Sequence, residues 1–74
     1  MKIHESVTED RVFEMVKAEM IGTDNPGICL KCGEDAEGVE PDARRYTCEV
    51  CEAPYVYGAA EIMMMGYYYG RKYT

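Results

Sequence analysis

Four cysteines are the residues of this 74-residue chain best suited to chemistry, and they form two Cys-x-x-Cys pairs. Cys29 and Cys32 make the first pair, Cys48 and Cys51 make the second, and fifteen residues separate Cys32 from Cys48. A two-residue gap lets a tight turn direct both sulfurs at one ion, and two such turns complete a tetrahedron with bonds of roughly 2.3 Å. The spacing therefore predicts one structural Zn²⁺ held by all four thiolates.

The size of the chain gives a bound metal a large part in folding. A core of this size supplies only about 3 to 5 kcal/mol of net stability. Structural zinc in small peptides contributes on the order of 10 to 16 kcal/mol near neutral pH. We therefore expect the metal to decide whether the central segment folds.

The net charge and the hydropathy of the chain limit the cellular compartments and the classes of partner that we expect. The formal net charge is −6, so long-range attraction to phosphate backbones should be weak. Residues 1–8 lack the apolar run of a signal peptide, and no segment is long and apolar enough for a membrane span. We expect a cytoplasmic protein without a membrane partner, in a reducing compartment that favours metal over disulfides.

Residues 8–21 are predicted to form an amphipathic helix. Its apolar stripe contains Val12, Phe13, Val16 and Met20, which we expect to cover one face of the metal-binding segment. A partner-binding or self-pairing helix is the alternative interpretation.

Residues at both ends of this helix indicate where it begins and where it ends. Thr8 is the predicted N-cap, with Val7 and Val12 as a hydrophobic staple, and a capping box of Ser6 and Glu9 is the competing choice. Gly22 is predicted to close the helix in a left-handed conformation.

The metal-binding segment is predicted to be a hairpin whose base carries both cysteine turns. Gly33 should take a positive φ after the first pair, and Pro41-Asp42 predicts a reverse turn. Residues 44–47 then return as a strand, and residues 55–57 alternate like a third strand. Glu52 stands where Gly33 stands in the first turn, so the second turn is either strained or shaped differently.

The C-terminal part is predicted to be a short helix, residues 59–65, ended by Gly66 and followed by a tyrosine-rich tail, residues 66–74. Helices of this length are marginal alone in water. It should therefore lie against the hairpin or the N-terminal helix.

The residues Cys29-x-x-Cys32-Gly33 and Tyr46-x-Cys48-x-x-Cys51, with the hairpin between them, resemble the zinc-ribbon fold group. Within it the chain is similar to small stand-alone zinc-ribbon proteins of bacteria and phages. The resemblance covers residues 27–57 and implies nucleic-acid binding, a part in transcription or translation machinery, or protein docking. The predicted fold is one α+β domain, residues 1–74, with about three antiparallel strands between two helices.

Catalysis is not expected. Four cysteines fill the zinc shell, whereas a catalytic zinc keeps a position open. The single histidine, His4, is expected to be solvated near a mobile terminus. No small-molecule substrate is expected. The chemical alternative is iron in an electron carrier resembling rubredoxin, which is disfavoured because rubredoxin-like proteins have a longer spacer between the pairs and a proline within the turn.

Two kinds of macromolecular partner stay open. For nucleic acid, Arg44, Arg45 and Tyr46 could contact phosphates and stack on bases, with Arg71 and Lys72 nearer the C-terminus. The competing interpretation of the two hairpin arginines is that they balance Glu37 and Glu40 across the hairpin.

For a protein partner or self-association, the candidate surface combines flexible thioethers with amphipathic rings, chemistry that is enriched at interfaces. The competing interpretation is that half of these side chains fill the small core. An acidic face could separately dock on a basic site. The candidate interface residues are Met63, Met64, Met65, Tyr67 and Tyr68, and the acidic residues are Glu34, Asp35, Glu37, Glu40 and Asp42.

Overall fold

A computed structural model of the chain describes residues 3–22 and 25–70. It contains two helices and a three-stranded antiparallel sheet with strand order β2-β1-β3. This confirms the predicted α+β class. No helix in these two ranges has the length and hydropathy needed to cross a membrane. The elements in chain order are α1 (Glu9–Ile21), β1 (Gly27–Cys29), β2 (Asp35–Ala36), β3 (Val56–Gly58) and α2 (Ala59–Met65).

Helix α1 begins as predicted and ends differently. The Thr8 side chain accepts a hydrogen bond from the backbone N–H of Arg11 at 3.2 Å, which identifies Thr8 as the N-cap. Val7 and Val12 are both fully buried in one cluster, as a hydrophobic staple requires. The left-handed cap predicted at Gly22 is wrong, because its φ of −130° and ψ of −169° are extended.

Only part of the α1 stripe is covered. Val12 is buried and Val16 packs at the edge of the core. Phe13 is 52% exposed and Met20 is 79% exposed, so the expectation that the whole stripe covers the ribbon is wrong. The reason is the size of its neighbours: α1 lies closest to α2, and this seven-residue helix together with the short strands covers only part of α1.

The sheet separates two small cores because side chains alternate along its strands. Ile28 and Tyr57 point to one face, where they meet Val12 of α1 and Ile62 of α2. Cys29 and Val56 point to the other face, and there they pack with buried residues that include Cys48. One face of the sheet is therefore a helical layer, and the other holds the cysteines.

Each cysteine turn lies inside its own hairpin, which corrects the prediction of one hairpin carrying both turns at its base. β1 and β2 pair around the first turn, with Ile28 opposite Asp35. Around the second turn only Tyr46 forms a bridge, and it pairs with Val56 of β3. Arg45 has a φ of 56°, and this left-handed residue interrupts the strand predicted over residues 44–47.

The predicted turn at Pro41-Asp42 is confirmed and is held against α2. The N–H of Ala43 donates to Glu40 O at 2.9 Å, which closes the turn. Gly58 lies so close to this turn that a Cβ atom there would be 2.5 Å from Pro41 O. Only glycine fits at this crossing.

Helix α2 ends in a left-handed turn, as predicted for Gly66. Gly66 has a φ of 69°, and the N–H of Tyr67 donates to Ile62 O at 3.0 Å, a Schellman pattern. The tail packs onto the helical layer as far as Tyr69, whose N–H donates to Val7 O at 2.7 Å. Arg71 and Lys72, which we predicted as a second basic pair, lie outside the described residues.

Arg44 pairs with α2 and not with the acids of the hairpin. Its Nε and Nη2 atoms donate to Oε2 of Glu61 at 2.6 and 2.5 Å, and Glu61 is only 5% exposed. The predicted balance with Glu37 and Glu40 is therefore wrong for Arg44. A buried carboxylate in an otherwise apolar helix attracts the nearest guanidinium more strongly than exposed acids can. This ion pair links the segment that follows the Pro41-Asp42 turn to α2.

We predict that Arg44→Ala lowers the free energy of unfolding by about 1 to 3 kcal/mol, because it leaves the buried Glu61 carboxylate without its partner. Arg45→Ala is the matched control. Arg45 has no ion pair within residues 3–22 and 25–70, so its loss should change stability by less than about 0.5 kcal/mol. Chemical denaturation of both variants measures the difference. Equal stability of the two would contradict a structural role for the Arg44 pair.

Candidate metal centre

The two cysteine pairs, which fifteen residues separate in the sequence, converge on one point. Their Sγ atoms all lie within 4.8 Å of one another, and the Sγ atoms of Cys29 and Cys51 are 3.6 Å apart while those of Cys32 and Cys48 are 3.7 Å apart. A disulfide requires about 2.05 Å, so these thiols are not bonded to each other. A tetrahedral ion with four bonds of roughly 2.3 Å places its sulfurs roughly 3.8 Å apart. The cluster fits such an ion and could hold a metal.

The two cysteine turns have the same backbone form. The N–H of Gly33 donates to Cys29 O at 2.8 Å, and the N–H of Glu52 donates to Cys48 O at 2.9 Å. Gly33 has a φ of 81° and Glu52 a φ of 64°. Of the two alternatives for the second turn, the structure therefore has the strained one. A side chain in this conformation costs on the order of 1 kcal/mol.

Backbone amides of the second turn point at the sulfur of Cys48. The N–H groups of Val50 and Cys51 lie 3.3 and 3.4 Å from it. Led by the Cys51 amide, these hydrogen bonds lower the pKa of Cys48 to about 7. They stabilise a thiolate at this position before any ion is considered.

In the first cysteine pair the pKa values of the thiols are raised and not lowered. Burial raises the pKa of Cys29, and burial with the neighbouring thiols raises the pKa of Cys32 to about 12. Four thiolates packed this closely need a compensating positive charge. A bound dication would supply that charge and deprotonate its ligands outright. The donor set and its electrostatics thus both suit a metal.

The N-terminal segment packs against the first turn, where we expected a mobile lead. The N–H of His4 donates to Leu30 O at 2.8 Å, and the imidazole Nδ1 is 2.8 Å from Ser6 Oγ. His4 is half-buried, and its hydrogen bonds with Ser6 are open to solvent, so the imidazole keeps part of its expected solvation although its segment is packed. A Cβ atom at Gly33 would lie 2.7 Å from His4 Nδ1. The segment therefore fits only over a glycine.

Arg11 joins α1 to the same turn. One of its terminal nitrogens donates to Gly33 O at 2.7 Å and also pairs with the carboxylate of Asp35. The other donates to the Ser6 carbonyl at 3.2 Å. The contacts of Arg11 fix the position of the first turn relative to the helical layer.

Sequence reasoning missed both Arg11 and Glu61 as positioning residues. Glu61 did give a signal, since it is the only charged residue of the apolar segment 59–65. Arg11 gave none, because one arginine near a helix start is ordinary and its partners in the first turn, Gly33 and Asp35, are more than twenty residues away.

The predicted interface residues do not form one surface. Met63, Tyr67 and Tyr68 pack against the helical core, whereas Met64 is 81% exposed. The competing interpretation, in which about half of this group fills the core, describes these residues better. Of the predicted basic set, Arg45 and Tyr46 are exposed, and Arg44 is held by Glu61.

Comparison with known proteins adds no relative to this description. No family model, no curated protein and no solved structure matches the chain.

The two cysteine turns give a matched pair of substitutions, Gly33→Ala and Glu52→Ala. We predict that Gly33→Ala lowers the free energy of unfolding by about 2 kcal/mol or more, from left-handed strain and the clash with His4 and Ser6. Glu52 already carries a Cβ atom, so Glu52→Ala should change the free energy of unfolding by less than about 0.5 kcal/mol.

Chemical denaturation of the metal-loaded variants provides the comparison. If alanine is tolerated equally well in both turns, the N-terminal segment does not pack over Gly33 as described.

Proposed function

We propose that this protein is a zinc-ribbon module without catalytic activity, which holds one structural Zn²⁺ and acts by recognising another protein in the cytoplasm of a bacterium or a phage-infected cell. The observation that carries the proposal is the cluster of four sulfurs within 4.8 Å of one another, two of whose separations, 3.6 and 3.7 Å, are close to that of a tetrahedral site. The proposed metal ligands are Cys29, Cys32, Cys48 and Cys51.

The four-cysteine ligand set favours a structural ion over a catalytic one, and the spacing of the cysteine pairs favours zinc over iron. Four cysteines leave no coordination position for a substrate or an activated water. His4, the only histidine, hydrogen-bonds to Ser6 and is not among the clustered residues. The long spacer that rubredoxin-like proteins have between their cysteine pairs is missing. The ion would therefore hold two turns together and would not perform chemistry.

A protein partner is supported by apolar side chains that the small core leaves uncovered. Phe13, Met20 and Ile21 are exposed on α1, and Met64 is exposed on α2. The exposure on α1 follows from the small size of α2 and of the sheet, which together cover only part of that helix. Uncovered apolar side chains of this kind, methionine among them, are typical of surfaces that bind other proteins.

Nucleic acid is the second candidate, and the observation in its favour is the exposed pair Arg45 and Tyr46. The support is weaker than the sequence indicated. The charge of Arg44 is compensated by Glu61, and the net charge of −6 opposes approach to a phosphate backbone.

Capture of partners by the immobilised, zinc-loaded protein tests the proposal. We predict one equivalent of zinc by elemental analysis, no visible absorption from iron, and a retained protein set from native cell extract that survives nuclease treatment. A double variant, Met20→Ser with Met64→Ser, should reduce that set, whereas the exposed Ala18→Ser should not.

Two results would contradict the proposed function. One is retention that nuclease abolishes, together with binding of labelled DNA or RNA. The other is a metal other than zinc in the purified protein.

A further inference from the structure

A groove of about 460 Å³ opens beside the cysteine cluster, on the sheet face away from the helices. Its floor is apolar and includes Val39 and Val56. One wall is β2, and the other is formed by Tyr46 and the second cysteine turn, including Val50. Its volume lies within the range of ligand sites in proteins. The site is therefore a concave groove with a floor and two walls and not only a charged patch.

The walls of the groove also expose apolar side chains. Val50 is 64% exposed and Tyr46 is 42% exposed, although both lie beside the buried floor. The opposite wall is an edge strand, because β2 pairs only with β1. The unpaired backbone edge of β2 faces away from the groove, because β1, β3 and Tyr46 all lie on its other side, so an occupant would be held by side chains.

The charge around this groove has one sign. Four acidic residues line it and no lysine or arginine does. Asp35 is paired with Arg11. The other three acids, Glu34, Glu37 and Glu49, have no ion pair within the described ranges. An occupant that carries positive charge is therefore favoured, and a phosphate backbone is repelled.

We propose that this groove binds an extended basic segment of the partner protein in which aliphatic side chains alternate with arginine or lysine. The proposal rests on the protein-recognition role given above and names its binding site. Alternate side chains of an extended segment point to opposite sides. Aliphatic residues would contact Val39 and Val56, while the cationic residues would reach the acidic rim, with the Tyr46 ring available to a guanidinium.

The position of the groove ties binding to the metal. Cys48 lines the groove and belongs to the four-sulfur cluster, which joins the second cysteine turn to the hairpin that contains β2. The cluster therefore helps to fix the separation of the two walls, together with the strand pairing that links β2 to Tyr46 through β1 and β3. Binding should require the metal-loaded protein.

Three eight-residue peptides test the proposal, with alternating arginine and valine, alternating arginine and serine, and alternating glutamate and valine. We predict that the arginine-valine peptide binds the zinc-loaded protein and shifts amide NMR signals of residues 34–37 and 46–50. The arginine-serine peptide should bind at least fivefold more weakly, and the glutamate-valine peptide should not bind.

Matched variants separate the groove from net charge. Glu34→Gln with Glu37→Gln should weaken binding of the arginine-valine peptide at least tenfold. Glu9→Gln with Glu40→Gln changes the charge equally at exposed positions outside the groove and should weaken it less than twofold. Amide spectra of both variants establish that they are folded.

Four results would overturn the groove assignment: equal weakening by both double variants, signal shifts outside the groove, tighter binding of single-stranded DNA than of the peptide, or self-association through the groove. If peptide binding fails while cell-extract capture still depends on Met20 and Met64, the groove assignment is wrong and the protein-recognition role stands.

Discussion

The convergence of four sulfurs on one point is the constraint on which the rest of this structure depends. It brings together two turns that lie in separate hairpins, and each turn joins the two partners of a strand pairing: β1 with β2, and Tyr46 with Val56. Because Cys29 and Cys48 are also core residues of the sheet face that they occupy, the same convergence organises the smaller of the two cores. Without it, that face has few apolar contacts.

Three sets of contacts connect this face to the rest of the chain. Arg11 holds the first turn to α1, and the N-terminal segment packs over Gly33. Arg44 holds the hairpin to α2 through the buried carboxylate of Glu61. Each contact crosses from the cysteine side to the helical side. The contacts explain how a chain with strands of two or three residues keeps one arrangement of its two halves.

Local signals made much of this fold predictable. Thr8 and Gly66 mark helix ends through hydrogen bonds that span only a few residues, and the cysteine spacing indicated the cluster because a tight turn fixes two sulfurs at once. The pairing of Arg44 with Glu61 was not predictable, since it depends on a contact seventeen residues away. The strand around Tyr46 was mispredicted because the left-handed Arg45 has no sequence signal of the kind glycine gives.

The incomplete burial of the apolar stripe on α1 was also not predictable, because burial depends on contacts between elements that are distant in the sequence. Periodicity identified the apolar residues of α1 but not the width of the surface available to cover them, which depends on the short helix α2 and the short strands. The groove was likewise invisible in the sequence, because its walls come from two hairpins that only the folded chain brings face to face.

Amide NMR of the zinc-loaded protein, before and after removal of zinc by a strong chelator under reducing conditions, tests the central claim most directly. Cys51 is exposed, so the chelator has access to the site. We predict that stoichiometric loss of zinc collapses the dispersed signals of residues 27–58 and that added zinc restores them. A spectrum that keeps its full dispersion after the zinc has been removed would contradict the claim that the metal holds this fold together.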